Sequence, residues 1–228
     1  MTASPTTTTP TGPIDTRQMI TVHRFFRREF RLAGGVVAGV AADDQKRARL
    51  VADHVELLTR TLHHHHTHED ELIWPKLLDR VPEELAPLVR LMAEQHARVD
   101  SVVAEIDELR PRWAVTAGAA DRDRLAELLD RLSGHLAEHL DAEEERVLPI
   151  IARTLTAQEW HEVGERARAS NRKDQMSLVL GMLQYEGDPE AVAAMLAAAP
   201  PPVRWIVPKL SRRAFRRHAL AVHGTATP

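Results

Sequence analysis

Residues 65–75 read HHTHEDELIWP and residues 139–149 read HLDAEEERVLP. In each stretch a histidine is followed four residues later by a glutamate and six residues beyond that by a proline: His65, Glu69 and Pro75, then His139, Glu143 and Pro149. The two stretches lie 74 residues apart and look like two copies of one unit. A spacing of four places both side chains on one helix face, one turn apart, within reach of a shared cation. The repetition extends upstream. His23, in VHRFFRREF, lies 42 residues before His65, and His96, in EQHARVD, lies 43 before His139. The chain therefore reads as two helix hairpins, each carrying one lone histidine and one His-x-x-x-Glu pair.

Glycine, proline and capping residues mark where these helices start and stop. A first helix is expected over residues 15–40, weakened near its end by Gly34 and Gly35. A second begins at Asp43 or Asp44, either of which can cap it, and runs to about residue 79. The third starts close to Pro82 and ends around Arg110, before Pro111; Gly118 and Asp121 open a fourth that ends near Leu155. Long helices with short connections predict an all-α fold, an antiparallel up-down four-helix bundle made of two pseudo-repeated hairpins. Residues 1–13, MTASPTTTTPTGP, read as a disordered tail and residues 14–155 as the bundle. Residues 156–228 read as a C-terminal extension of shorter helices packing on it, starting with the capping-box pair Thr156 and Glu159 and starting again at Asp188-Pro189. Four prolines in AAAPPPVRWIVPKL suggest that its last part wraps around the bundle.

Composition agrees with a helical, globular chain. Of its 228 residues 43% are apolar and 28% charged, while aromatics supply only 4%. The net charge of -3 calls for no nucleic-acid partner. RRAFRRH at residues 212–218 reads as a solvated helix face rather than a lipid- or nucleic-acid-binding strip. With no cysteine, disulfides, thiolate metal sites and cysteine nucleophiles are all excluded. No run of eighteen apolar residues suggests a membrane span. The first residues lack the basic and apolar regions of a signal peptide, so the expected location is the cytoplasm.

Bringing the two hairpins together would converge four imidazoles and two carboxylates at the bundle centre. Bridging carboxylates let two cations sit side by side despite their repulsion. Imidazole nitrogen with carboxylate oxygen suits iron, zinc or manganese. Two carboxylates plus an oxo or hydroxo bridge would balance much of the charge of two ferric ions, which favours iron.

In these motifs the stretch from residue 15 to residue 155 resembles the hemerythrin-like, HHE cation-binding family. The resemblance implies two non-haem iron ions, bound by histidines and bridged by two carboxylates. It also implies a small ligand, whether dioxygen, nitric oxide or peroxide, and a role in redox or stress response. By position it selects His23, His65, Glu69, His96, His139 and Glu143 as the metal ligands. Two departures stand out. Oxygen carriers of the family have a second histidine one turn after the lone histidine of the third helix, where this chain has Asp100. They also place the last bridging carboxylate five residues after its histidine, which would select Glu144 over Glu143. Asp100, or His135 one turn before His139, is an additional candidate ligand. A symmetric set of four histidines points away from reversible oxygen transport and toward peroxide or nitric oxide chemistry, with at most weak catalase- or peroxidase-like turnover. No catalytic or organic-cofactor residue is assigned. The alternative is a regulatory or iron-sensing module with a structural metal, whose C-terminal extension meets a protein partner.

The remaining histidines take ordinary roles in this reading. His63, His64, His66 and His68 point elsewhere on the second helix, and His54 faces the core three turns before His65, too far for direct ligation. His161-Glu162 lacks the second histidine of a zinc-protease signature. The paired Glu-x-x-His of ferritin-type di-iron proteins does not occur. Trp74 is expected to close the bundle end.

Overall fold

A computed structural model describes residues 13–197 and 200–228, in which every regular element is helical. Four long helices form the body: α1 (Arg17–Ala38), α2 (Gln45–Leu72), α4 (Ala86–Thr116) and α5 (Ala119–Ala142). Short helix α3 (Trp74–Arg80) follows α2, and a 3-10 turn (Glu83–Leu85) leads into α4. A π turn (Glu143–Val147) joins α5 to α6 (Leu148–Thr154), and then come α7 (Ala157–Ser170), α8 (Met176–Glu186), α9 (Pro189–Met195) and α10 (Pro201–His223). The tail expected over residues 1–13 lies, but for Pro13, outside the described residues.

The long helices pack around a ring in the order α1, α2, α4, α5 and back to α1. One apolar cluster lies between them, holding Phe25, Phe26 and Phe30 of α1, Val55, Leu58 and Leu62 of α2, Val99 and Ile106 of α4, and Leu125, Leu129 and Leu136 of α5. A second closes one end with Ile73, Trp74, Leu77, Met92, Val147, Leu148 and Ile151. The polar cluster described below belongs to the helices between these two apolar masses.

Local chemistry accounts for the helix ends. Asp44 caps α2 by accepting from the Arg47 amide at 3.0 Å, and the Thr156–Glu159 capping box opens α7 with both reciprocal bonds formed, at 3.2 and 2.9 Å. Asp188 accepts from the Glu190 amide at 2.8 Å to start α9. Pro75 and Pro149 each occupy the second position of a seven-residue helix, where proline needs no amide partner. The two sequence copies therefore extend as far as α3 and α6, which pack together.

Two expectations about proline are corrected. Helix α4 does not end before Pro111 but runs through it to Thr116. The missing amide costs about 3 kcal/mol, and the helix continues because its buried face does: Ile106 and Trp113, seven residues apart, are both fully buried. Likewise the C-terminal helices are not all short. Pro200 and Pro201 initiate α10, a 23-residue helix that contains Pro208 and lies against α8 and α2. Its arginines at 212, 213, 216 and 217 are exposed while Phe215, Ala219 and Val222 are buried, which is the solvated face expected of RRAFRRH. No described helix is long and apolar enough to cross a membrane.

Helices α8 and α10 approach closely at Gly181, where a Cβ would stand 2.2 Å from the Ser211 carbonyl oxygen and 2.8 Å from the Phe215 Cβ. Replacing Gly181 by Ala is expected to destabilise the protein by about 1–3 kcal/mol through overpacking against backbone that cannot yield. Urea denaturation of both proteins measures this, and equal midpoints would show that the crossing is not tight.

Candidate metal centre

Each long helix contributes to one buried polar cluster. His23 comes from α1, His65, His66 and Glu69 from α2, His96 from α4 and His139 from α5, with Glu143 at the first position of the π turn. All are buried except His65, whose side chain is 10% exposed. The wide turn after Ala142 is a device often found at functional sites. Here the Leu148 amide donates to the carbonyl of Glu143, five residues back, as the helix widens.

The donor atoms fall into two groups within 4.8 Å of one another, each able to hold a metal ion: His66, Glu69, His96 and His139, and His23, His65, Glu69 and Glu143. Glu69 belongs to both. Its Oε1 lies 3.3 Å from His65 Nε2 and its Oε2 lies 3.4 Å from His96 Nε2. Glu143 Oε2 likewise lies 3.3 Å from His23 Nε2 and 3.7 Å from His139 Nε2.

Outside the cluster, acceptors fix the rings. His23 Nδ1 donates to Glu144 Oε1 at 3.0 Å, His96 Nδ1 to Asp70 Oδ1 at 2.8 Å, and His139 Nδ1 to Gln95 Oε1 at 3.2 Å. In the neutral imidazole, with Nδ1 engaged as donor, the lone pair is on Nε2, aimed inward. Such outer partners orient metal-binding histidines and raise their basicity. Arg27 also donates to Glu144 at 2.9 Å, so this carboxylate is anchored from both sides. His66 stacks on His96 with centroids 3.9 Å apart, and the Phe26 ring lies 5.2 Å from that of His65.

The electrostatics call for a cation. Without one, burial and then the neighbouring Glu69 push Glu143 up to about 8, and burial raises Glu69 as well. Burial, then the surrounding imidazoles, holds His65 and His66 far below the usual histidine range and so in the neutral, metal-binding form. Burial also works against a charged His96, but the Asp70 and Glu69 carboxylates outweigh it and raise it to about 10. A proton on His96 is thus the smallest cation the cluster can recruit. Several buried atoms have no hydrogen-bond partner among the described residues: His23 Nε2, His65 Nε2, both ring nitrogens of His66, and all four oxygens of Glu69 and Glu143. Unpaired buried carboxylates are costly, and metal ions held by imidazole and carboxylate would satisfy them together.

The six residues selected from the sequence are thus brought together. His66, expected to point elsewhere, is brought in with them. Its signal is present in the sequence, since His66 lies three residues before Glu69 and hence on the same helix flank. His68 is also buried, donating to Ser170 Oγ at 3.0 Å. Glu144 binds His23 from behind, and Asp100 and His135 belong to neither donor group. Trp74 is buried at the cluster's edge, 5.8 Å from His96.

A nest of imidazoles and carboxylates between long helices defines a helical cation-binding protein. The model of the hemerythrin HHE cation-binding domain matches residues 15–168, well over half of the chain, and the chain belongs to this family. Comparison with curated proteins and with solved structures gives no match.

Replacing Asp70 by Ala is expected to weaken cation binding about 10- to 100-fold through loss of the His96 orientation, with unchanged far-ultraviolet circular dichroism. Competition against a calibrated chelator measures the affinity; an unchanged value would show that His96 needs no outer partner.

Proposed function

We propose that the chain carries two non-haem iron ions between the helices of an up-down four-helix bundle and uses them to engage a small ligand, dioxygen, nitric oxide or peroxide, in a redox or stress response. The observation that carries this reading is the position of Glu69, one oxygen in each of two adjacent donor groups. His66, His96 and His139 would hold one ion, His23, His65 and Glu143 the other, with Glu69 between them and Glu143 near enough to His139 to serve as second bridge. Imidazole and carboxylate without thiolate support iron over softer metals.

His66 changes the expected chemistry. With four histidines the set looked symmetric, which counted against oxygen binding; with His66 it is three imidazoles on one side and two on the other. A lopsided set leaves the two ions unequal in coordination, so dioxygen stands level with nitric oxide and peroxide as ligand. When bound, the iron pair supplies an open coordination position and electrons. The chain's own residues orient the imidazoles through Asp70, Gln95 and Glu144, and exclude bulk water with Phe26 and Trp74. The burial of the cluster restricts access to molecules of a few atoms. A regulatory, iron-sensing module is the second reading. Its support is on α10, where Trp205 is 74% exposed beside exposed Ile206 and Leu210, an apolar strip that a partner protein could cover.

The protein purified aerobically is expected to contain two irons per chain. Glu69→Ala should lose both, and His66→Ala should lose or loosen one. Elemental analysis gives the counts, and full iron retention in Glu69→Ala would sink the assignment. Visible spectra after peroxide, nitric oxide, or dithionite followed by air identify the ligand. Two irons indifferent to all three would leave the sensing module as the better reading.

A further inference from the structure

Another group of ligand-type side chains lies away from this centre. Glu29 of α1, His54 of α2 and His223 at the end of α10 place donor atoms within 4.8 Å of one another. His54 precedes His65 by eleven residues, about 16 Å along the axis of α2, so the two sites share no ligand. We propose that Glu29, His54 and His223 form a separate mononuclear site for a divalent cation of the zinc class, fastening the C-terminal helix to α1 and α2. The proposal is independent of whether the larger cluster holds iron.

Three observations support it. Glu29 Oε2 lies 3.3 Å from His54 Nε2 and 3.7 Å from His223 Nε2. A tetrahedral zinc with ligands at about 2.0–2.2 Å separates them by about 3.3–3.6 Å. These three atoms are buried and have no hydrogen-bond partner among the described residues; the side chains of Glu29 and His54 are fully buried and that of His223 is 5% exposed. The surroundings also orient each donor. His218 Nε2 lies 3.0 Å from His54 Nδ1, leaving Nε2 of His54 to face Glu29. Arg28 binds the other Glu29 oxygen and reaches Glu186 at 3.1 Å, which leaves Oε2 as the single free carboxylate donor.

His223 is held at the required place by the helix end itself. Gly224, with φ of 74°, stops α10 in the left-handed conformation that favours glycine. Arg47 of α2 donates to the carbonyls of Ala221 and Val222. Two imidazoles and a carboxylate leave the cation one open position. Arg28 with Glu29 and Glu186 sums to a charge of minus one, so a divalent ion leaves a single positive charge, modest for a buried site.

The full chain, stripped with a chelator and reloaded with zinc alone, tests this. The wild type should bind one zinc more than His223→Ala or Glu29→Gln, whatever the larger cluster takes up. Glu69→Ala, which removes the residue common to both donor groups of the larger cluster, should keep that zinc, and zinc should raise its thermal midpoint but not that of the Glu69→Ala/His223→Ala double variant. Equal zinc contents in folded wild type and His223→Ala would overturn the proposal. Should the variants misfold, an anomalous diffraction map of zinc-loaded wild type decides: a peak among the three side chains supports the site, and none at saturating zinc refutes it.

Discussion

Two carboxylates buried side by side among imidazoles are the constraint on which the rest of the structure depends. Glu69 approaches nitrogens of His65 and His96 and Glu143 those of His23 and His139, and burial, reinforced at Glu143 by the neighbouring Glu69, drives both toward their protonated forms. No hydrogen-bond donor among the described residues offsets that cost at their oxygens, and positive charge delivered there would. The surrounding architecture supplies rigid walls for it. Four long helices each contribute at least one imidazole, apolar clusters lie to either side, and Asp70, Gln95 and Glu144 lock the rings from outside.

Much of this was legible in the sequence because ligands on helices must recur at helical spacing. His65 with Glu69 and His139 with Glu143 repeat in register, and their lone partners His23 and His96 stand almost equally far upstream, so the hairpin pairing could be read before any helix was placed. What was not legible depended on tertiary packing. Helix α4 passes through Pro111 because Trp113 has a buried place to go, an energy that no local propensity contains. Helix α10 likewise outgrows its prolines because Phe215, Ala219 and Val222 find the surfaces of α8 and α2.

His66 was missed for a different reason. In a run of four histidines each imidazole points in its own direction, about 100° from the next, and composition cannot say which two face inward. The choice is made by the rotation of α2 about its axis, set by Val55, Leu58 and Leu62 about one to three turns away. Glu143 and Glu144 posed the same ambiguity. There the answer lies in the π turn, which directs Glu143 to the cluster and Glu144 to the back of His23.

That widened turn also marks where the two halves of the chain differ. Both copies keep the same count from histidine to glutamate to proline, yet the first breaks its helix at Ile73 while the second stays continuous through one wider coil. The backbone thus differs where the residue pattern does not. The wider coil seats Glu143 in the cluster at one end and passes at the other into α6, whose Leu148 and Ile151 pack with Trp160 in the apolar cluster at the bundle end. Of the two central carboxylates, Glu69 sits in the regular coil of α2 and Glu143 on the widened coil beyond α5, so backbones of different pitch carry the two halves of one chemical motif.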